Sequence, residues 1–182
     1  MAMQSQATAE ELLAGLPHRL HHVFQPWAES SPGQPALIGD GKVWTYGDLP
    51  RIVDGAADAL RTHGARPGDR IMIVSENSLA LAALVLATSA LDAWSVVVNP
   101  RLSERELDQI RDHCGARLVY YAIDVSELAA VHARRHDAHD VDMGPLGTVA
   151  VSPLNQATEK PPGNLPGGFL VILERPRSAE AT

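Results

Sequence analysis

The chain has 182 residues, enough for one domain with a core of its own. Apolar residues make up 45 % of it, which excludes wholesale disorder. The formal charge is −7 with the Lys and Arg residues scattered, which argues against a nucleic-acid or anionic-membrane footprint, and a single cysteine, Cys114, excludes an internal disulfide framework.

The N-terminus carries neither a basic lead nor a continuous apolar run, so no signal peptide is expected and a cytoplasmic location follows. Thr8 and Glu11 have the spacing of a capping box, predicting a short helix with Leu12, Leu13 and Leu16. Pro17 suits the first turn of a second helix, on which Leu20, Val23, Phe24 and Trp27 recur at helical spacing and predict an inward stripe. After a turn-rich break from Ser30 to Pro35, Ala36–Ile38 and Lys42–Trp44 read as short strands joined tightly through Gly39, Asp40 and Gly41. Gly41-Lys42 is not a phosphate loop: Ala36 stands where that pattern needs glycine, and Val43 where it needs Ser or Thr. No Gly-x-Gly-x-x-Gly follows a predicted strand either.

Leu49, Ile52, Val53, Ala56 and Leu60 line one face of a helix within Thr45–Thr62. Pro50 would break a helix interior, so the helix is expected to begin near Asp48, which can cap it, with Pro50 in the first turn. From Gly64 to Tyr121 the chain alternates strand, helix, strand, helix, strand. Ile71–Val74, Trp94–Val98 and Leu118–Tyr121 are short apolar runs, the mark of parallel strands covered on both faces. Leu79–Leu91 is apolar nearly all round, is capped by Ser78, and is too short for a bilayer span of about 20 residues. Glu104–His113 follows a capping box of Ser103 and Glu106 and turns Leu107 and Ile110 inward. The predicted class is α/β, a three-layer parallel sheet with helices on both faces.

Further on, Val125–His136 reads as a helix carrying Leu128 and Val131, and Val149–Val151 as a short strand. His132, His136 and His139 share a helical spacing that could bind zinc, but Arg134 and Arg135 lie among them and no cysteine is near, so a solvated helix is expected. His113 and Cys114 are sequence neighbours that point in different directions, which favours a buried structural thiol over a nucleophilic pair. Phe169–Leu173 is compatible with an added strand.

The loops are more specific than the elements. Trp44-Thr45-Tyr46-Gly47-Asp48-Leu49, then Gly64-x-x-Pro67-Gly68-Asp69, Glu76-Asn77-Ser78 and Asn99-Pro100-Arg101-Leu102, in that order and spacing, resemble the start of the AMP-forming acyl-CoA synthetases of the adenylate-forming ligase superfamily. The likeness runs from about Pro35 to Tyr121 and weakly to Pro153; Pro50 and Asp92 depart from the family's usual wording, which often has glycine at the latter, where Asp tolerates, less easily than glycine, the left-handed conformation a helix end can need. It implies an incomplete N-terminal subdomain of that ligase fold, with N-terminal helices over 1–34, a truncated AMP-binding domain over 35–153, and an atypical Pro/Gly-rich tail over 154–182.

For the intact family the resemblance implies ATP, Mg²⁺ and coenzyme A: a carboxylate attacks the α-phosphate to give acyl-AMP and pyrophosphate, and the thiol then displaces AMP. It also implies a Ser/Thr/Gly-rich phosphate loop ending in Pro-Lys-Gly after Val151. Here Gly167-Gly168 has neither hydroxyls nor a following lysine. No cofactor is therefore expected on this chain, and no catalytic, cofactor-binding or metal residue is carried over. Glu76, Asn77, Asn99 and Arg101 match the family's wording, yet capping and chain turning account for them. Three readings stand: a ligase fragment whose frame is broken near Glu159–Gly168, inactive alone; half of a split ligase that docks a separate polypeptide; or a non-catalytic ligand- or protein-binding domain.

Overall fold

The computed structural model describes Thr8, residues 15–39, residues 41–153 and the backbone of Phe169–Val171. At its centre lie β3 (Arg70–Val74), β4 (Trp94–Val98) and β5 (Leu118–Tyr121), with β3 between the other two and parallel to both. Their continuous apolar wording follows from burial on both faces, and Ile71 to Val74 have no exposed surface.

Period-two alternation sorts the strand residues between two cores. Ile71, Ile73, Leu118 and Tyr120 face α2 (Leu49–Thr62) and α3 (Leu79–Ala90); Met72, Val74, Val96, Val98, Val119 and Tyr121 face α4 (Glu104–Cys114) and α5 (Glu127–Arg135). The three-layer architecture is therefore as the sequence predicts.

The sheet is mixed rather than wholly parallel. Its order is β6-β7-β5-β3-β4-β8, where β6 is His139–Asp142, β7 Thr148–Val151 and β8 Phe169–Val171. β8 adds in parallel to β4, as the wording around Phe169 allows, while β7 runs antiparallel to both β5 and β6. The cause is loop length: only Met143 to Gly147 separate β6 from β7, too few for the crossover that parallel strands need. Gly144 and Gly147 make that turn at φ 59° and 80°.

A separate two-stranded antiparallel hairpin, β1 (Pro35–Gly39) and β2 (Lys42–Thr45), buries Trp44 and presents Ile38 outward at 75 % exposure. Asp40, the predicted turn residue, lies outside the described residues, as do Leu12, Leu13, the Glu11 of the first capping box and most of the tail.

The predicted inward stripe near the N-terminus does not form. Leu20–Phe24 is a 3₁₀ turn rather than a helix beginning at Pro17, and α1 (Gln25–Ser30) starts only there. With three residues per turn, Leu20 and Val23 eclipse each other and leave Phe24 on a different side. Phe24 alone is buried; Leu20 and Val23 are exposed, and Trp27, 54 % exposed, stacks on Tyr46.

At the start of α2, Pro50 sits in the first turn, but Asp48 does not cap with its side chain. Its backbone is already helical (φ −78°, ψ −32°), unlike the extended conformation of a side-chain cap, and its carboxylate instead accepts from the Thr45 amide and hydroxyl at 3.0 and 2.7 Å. Those bonds hold the carboxyl below its ordinary range. Other local predictions hold. Ser78 accepts from Leu81 N–H at the start of α3, Ser103 and Glu106 form the capping box of α4, and Asp92 adopts the left-handed conformation at φ 56°.

Candidate functional site

Open α/β sheets offer ligands the crevice beyond the carboxyl ends of their strands. Here two short turns meet at that edge. After β3, Ser75 N–H donates across to the Val98 carbonyl (3.2 Å), its hydroxyl donates to the Glu76 carbonyl (2.6 Å), and Ser78 then caps α3. After β4, Asn99 Oδ1 accepts from Arg101 N–H at 2.9 Å, the Asx turn that bends the chain toward α4.

Glu76, Asn99 and Arg101, far apart in sequence, are thus brought to one edge. Arg101 Nε and an Nη each approach Glu76 Oε1 at 3.4 Å. Arg101 is 68 % exposed, so the pair contributes at most about 1 kcal/mol. Asn77 is exposed and is not joined to them, and the cap of α3 is Ser78.

A cavity of about 270 Å³ opens beside this edge, lined by Lys42, Leu79, Ala80, Asp124 and Val125 together with the β6–β7 turn. Lys42, tested above as a phosphate-loop lysine, is its cation. Asp124, just after β5, is its anion; its Oδ2 accepts from Thr148 N–H at 2.6 Å and sits where a Cβ on Gly147 would lie only 2.7 Å away. Glycine at 147 therefore serves both the positive φ and the close approach of this carboxylate.

The three histidines do not share a face. His139 is on β6, its ring 6.1 Å from His63, whereas His132 and His136 point inward from α5. The expected solvated helix is instead packed: Ala129, His132 and Ala133 are buried, and Leu128 and Val131 face out. The inward positions of α5 carry the small Ala129 and Ala133 and the hydrogen-bonding ring of His132. His132 Nε2–H donates to the Pro100 carbonyl at 3.1 Å. His136 joins Tyr121 on one side and Asp108 on the other, at 2.8 Å to the carboxylate. Among the described residues no group of three or more His, Cys, Asp or Glu is placed to hold a metal ion.

His113 is exposed while Cys114 is buried, its thiol donating to the Arg111 carbonyl at 3.4 Å. Burial pushes that thiol up, away from the thiolate a nucleophile needs.

Sequence reasoning missed the partners of these rings. Tyr120 and Tyr121 are consecutive on β5 and so face opposite layers: Tyr120 meets His63 Nδ1 at 2.7 Å, and Tyr121 meets His136 Nδ1. Arg135 grips Asp108 with two bonds of 2.8 Å, the chief reason the Asp108 carboxyl is lowered to about 2. Two adjacent tyrosines in a buried strand were the available signal, since a buried hydroxyl needs a partner.

Comparison with known proteins decides what this edge belongs to. The family model described as AMP-binding enzyme matches residues 24–167, which include both strand-end turns and the cavity. The chain belongs to the AMP-binding enzyme family. Among members of that family, a feruloyl-CoA synthase of Amycolatopsis is 32 % identical over 142 residues, covering 78 % of this chain and 27 % of the synthase. The 3-hydroxybenzoate–CoA ligase of Aromatoleum (strain CIB) is 27 % identical over 103 residues, covering 57 % of this chain and 20 % of the ligase.

Among solved structures, the crystal structure of IdnL1 superposes with a TM-score of 0.54 at 29 % identity, over 59 % of this chain and 22 % of that one. The N-terminal domain of FACL13 from Mycobacterium tuberculosis gives 0.53 at 25 %, over 56 % and 26 %. The chain spans between a fifth and about a quarter of the length of the two CoA ligases compared. Among its described residues no helix is long and apolar enough to cross a membrane.

Proposed function

We propose that this chain forms the opening scaffold of an AMP-forming carboxylic acid–CoA ligase and does not catalyse adenylation by itself. Residues 35–153 are the scaffold, preceded by residues 1–34 and followed by residues 154–182, whose wording differs from the family's. The supporting observation is the edge just described. Glu76, Asn99 and Arg101 are engaged in turn building and in one exposed ion pair, and none is aimed from a buried position at a ligand. Adenylation depends on holding triphosphate and acid in line while phosphate charge is neutralised, and positioning alone can supply about 7–11 kcal/mol. In the intact ligase ATP, Mg²⁺ and coenzyme A take part, with the acid as acyl donor, in the cytoplasm.

A second reading, half of a split ligase completed by a separate polypeptide, is favoured by exposed apolar side chains: Leu20, Val23 and Trp27 near the N-terminus and the cross-strand pair Ile38 and Val43 on the hairpin. A third, a non-catalytic binding domain, is favoured by the Lys42 and Asp124 cavity. Three measurements separate them. Pyrophosphate release from ATP with a panel of carboxylic acids is expected to be nil for the purified chain. Copurification of a stoichiometric second polypeptide that restores release supports the split ligase. Calorimetric binding of ATP, AMP, coenzyme A or a fatty acid without turnover supports the binding domain.

A further inference from the structure

Helix α5 is held to the rest of the domain by the buried Ala129 and Ala133, by the Arg135–Asp108 pair, by His132, and, one turn on from His132, by His136 at its C-cap. His136 Nε2–H donates to Asp108 Oδ1 on α4 at 2.8 Å, so in the neutral ring Nδ1 carries the lone pair and accepts from the Tyr121 hydroxyl of β5. Among the described residues that hydroxyl has no other partner, and Tyr121 is fully buried, with burial holding its proton on. One turn earlier, His132 ties the same helix to the carbonyl of Pro100, inside the turn that carries Asn99 and Arg101. A single ring therefore closes a chain of contacts running β5, α5, α4, and its neighbour extends that chain to the strand-end turn.

Protonating His136 breaks the pattern. Nδ1 becomes a donor, Tyr121 must turn from donor to acceptor, and its buried hydroxyl hydrogen is left unpaired. The charged groups facing the ring are Asp108 and Arg111 of α4 and Arg135 of α5 itself; Asp108 favours the imidazolium, while both arginines oppose it. Desolvation is the largest influence and also disfavours the charged form, so His136 is held below its ordinary value.

We propose that His136 is a proton-operated latch: its neutral ring locks α5 against β5 and α4, and protonation loosens α5 together with the Asn99–Leu102 turn. Because the unfolded or opened chain takes the proton more readily, the latch is fully closed above about pH 6.5 and weakens as pH falls below it. This inference rests on the hydrogen-bond geometry and holds whichever reading of the whole chain's function is correct.

Amide hydrogen exchange of the full chain, corrected for intrinsic rates and compared at about pH 7.5 and pH 5.5, reads it directly. Residues 127–135 and 99–102 are expected to lose protection several-fold at the lower pH while residues 49–62 lose less, and His136→Gln is expected to remove the difference. Equal protection of α5 at both pH values, or the same loss in His136→Gln, overturns the latch. Should that variant fail to fold, Tyr121→Phe provides the decision through the NMR titration of His136: removal of the hydroxyl donor is expected to move its midpoint upward, and an unmoved midpoint overturns the proposal.

Discussion

Leu84 is the position at which the packing account is most exposed to test. It lies on α3, fully buried between that helix, α2 and the inner face of β3 and β5. Leu84→Ala deletes three carbons, which at about 0.8 kcal/mol per buried methylene is a transfer loss of about 2.4 kcal/mol. The sheet on one side and α2 on the other prevent collapse into the space, and the residual cavity raises the total to about 3–4 kcal/mol. Leu86, on the half-buried side of the same helix, should lose less than half of that on mutation to alanine. Urea unfolding followed by fluorescence of the buried Trp44 and by far-UV circular dichroism measures both. With a slope of about 1–3 kcal/mol/M, Leu84→Ala should lower the midpoint by more than about 1 M. A loss under about 1 kcal/mol, or equal losses at Leu84 and Leu86, would refute the assignment of α3 to a covered layer.

Further outcomes follow from individual contacts. Ser103→Ala removes one half of the capping box on α4 and should cost about 1 kcal/mol in the same unfolding assay. Gly147→Ala meets both a positive φ and the Asp124 carboxylate, so its thermal midpoint should fall by more than a surface Gly→Ala change elsewhere, such as at Gly55, produces. His63 is held below its ordinary value by burial first and by His139 second; its stability contribution is therefore complete above about pH 6.5 and declines as pH drops, and His63→Asn should flatten that part of the stability profile. Cys114 should react with a disulfide reagent far more slowly in the folded chain than in urea, since its thiol is buried and its ionisation pushed up.

Elements whose signal is local were legible before any coordinates. The buried strands declared themselves by apolar runs, the helix starts by Ser78 and by Ser103 with Glu106, and the left-handed end of α3 by Asp92. What failed has separate causes. The direction of β7 is set by the short turn from β6 and its place beside β5 by the more distant chain, neither of which a pattern within Thr148–Val151 records. The N-terminal stripe failed because 3₁₀ and α periods diverge within one turn, and the wording LHHVF serves either. Asp48 failed as a side-chain cap because Thr45, three residues back, competes for its carboxylate.

The candidate edge divides in the same way. That Glu76, Asn99 and Arg101 belong to turns was readable from their loops; that they gather at one end of adjacent strands required the register of β3 on β4. The roles of His132 and His136 were not readable, because their partners Pro100, Tyr121 and Asp108 come from three other segments. Helical spacing of histidines suggested a shared ligand, whereas packing gave each ring its own protein partner.

The central claim, that this polypeptide supplies scaffold rather than triphosphate chemistry, is tested most directly by following pyrophosphate after mixing the purified 182-residue chain with ATP, Mg²⁺ and carboxylic acids. Release no faster than in buffer alone is expected. Sustained, acid-dependent release by the chain on its own would contradict it.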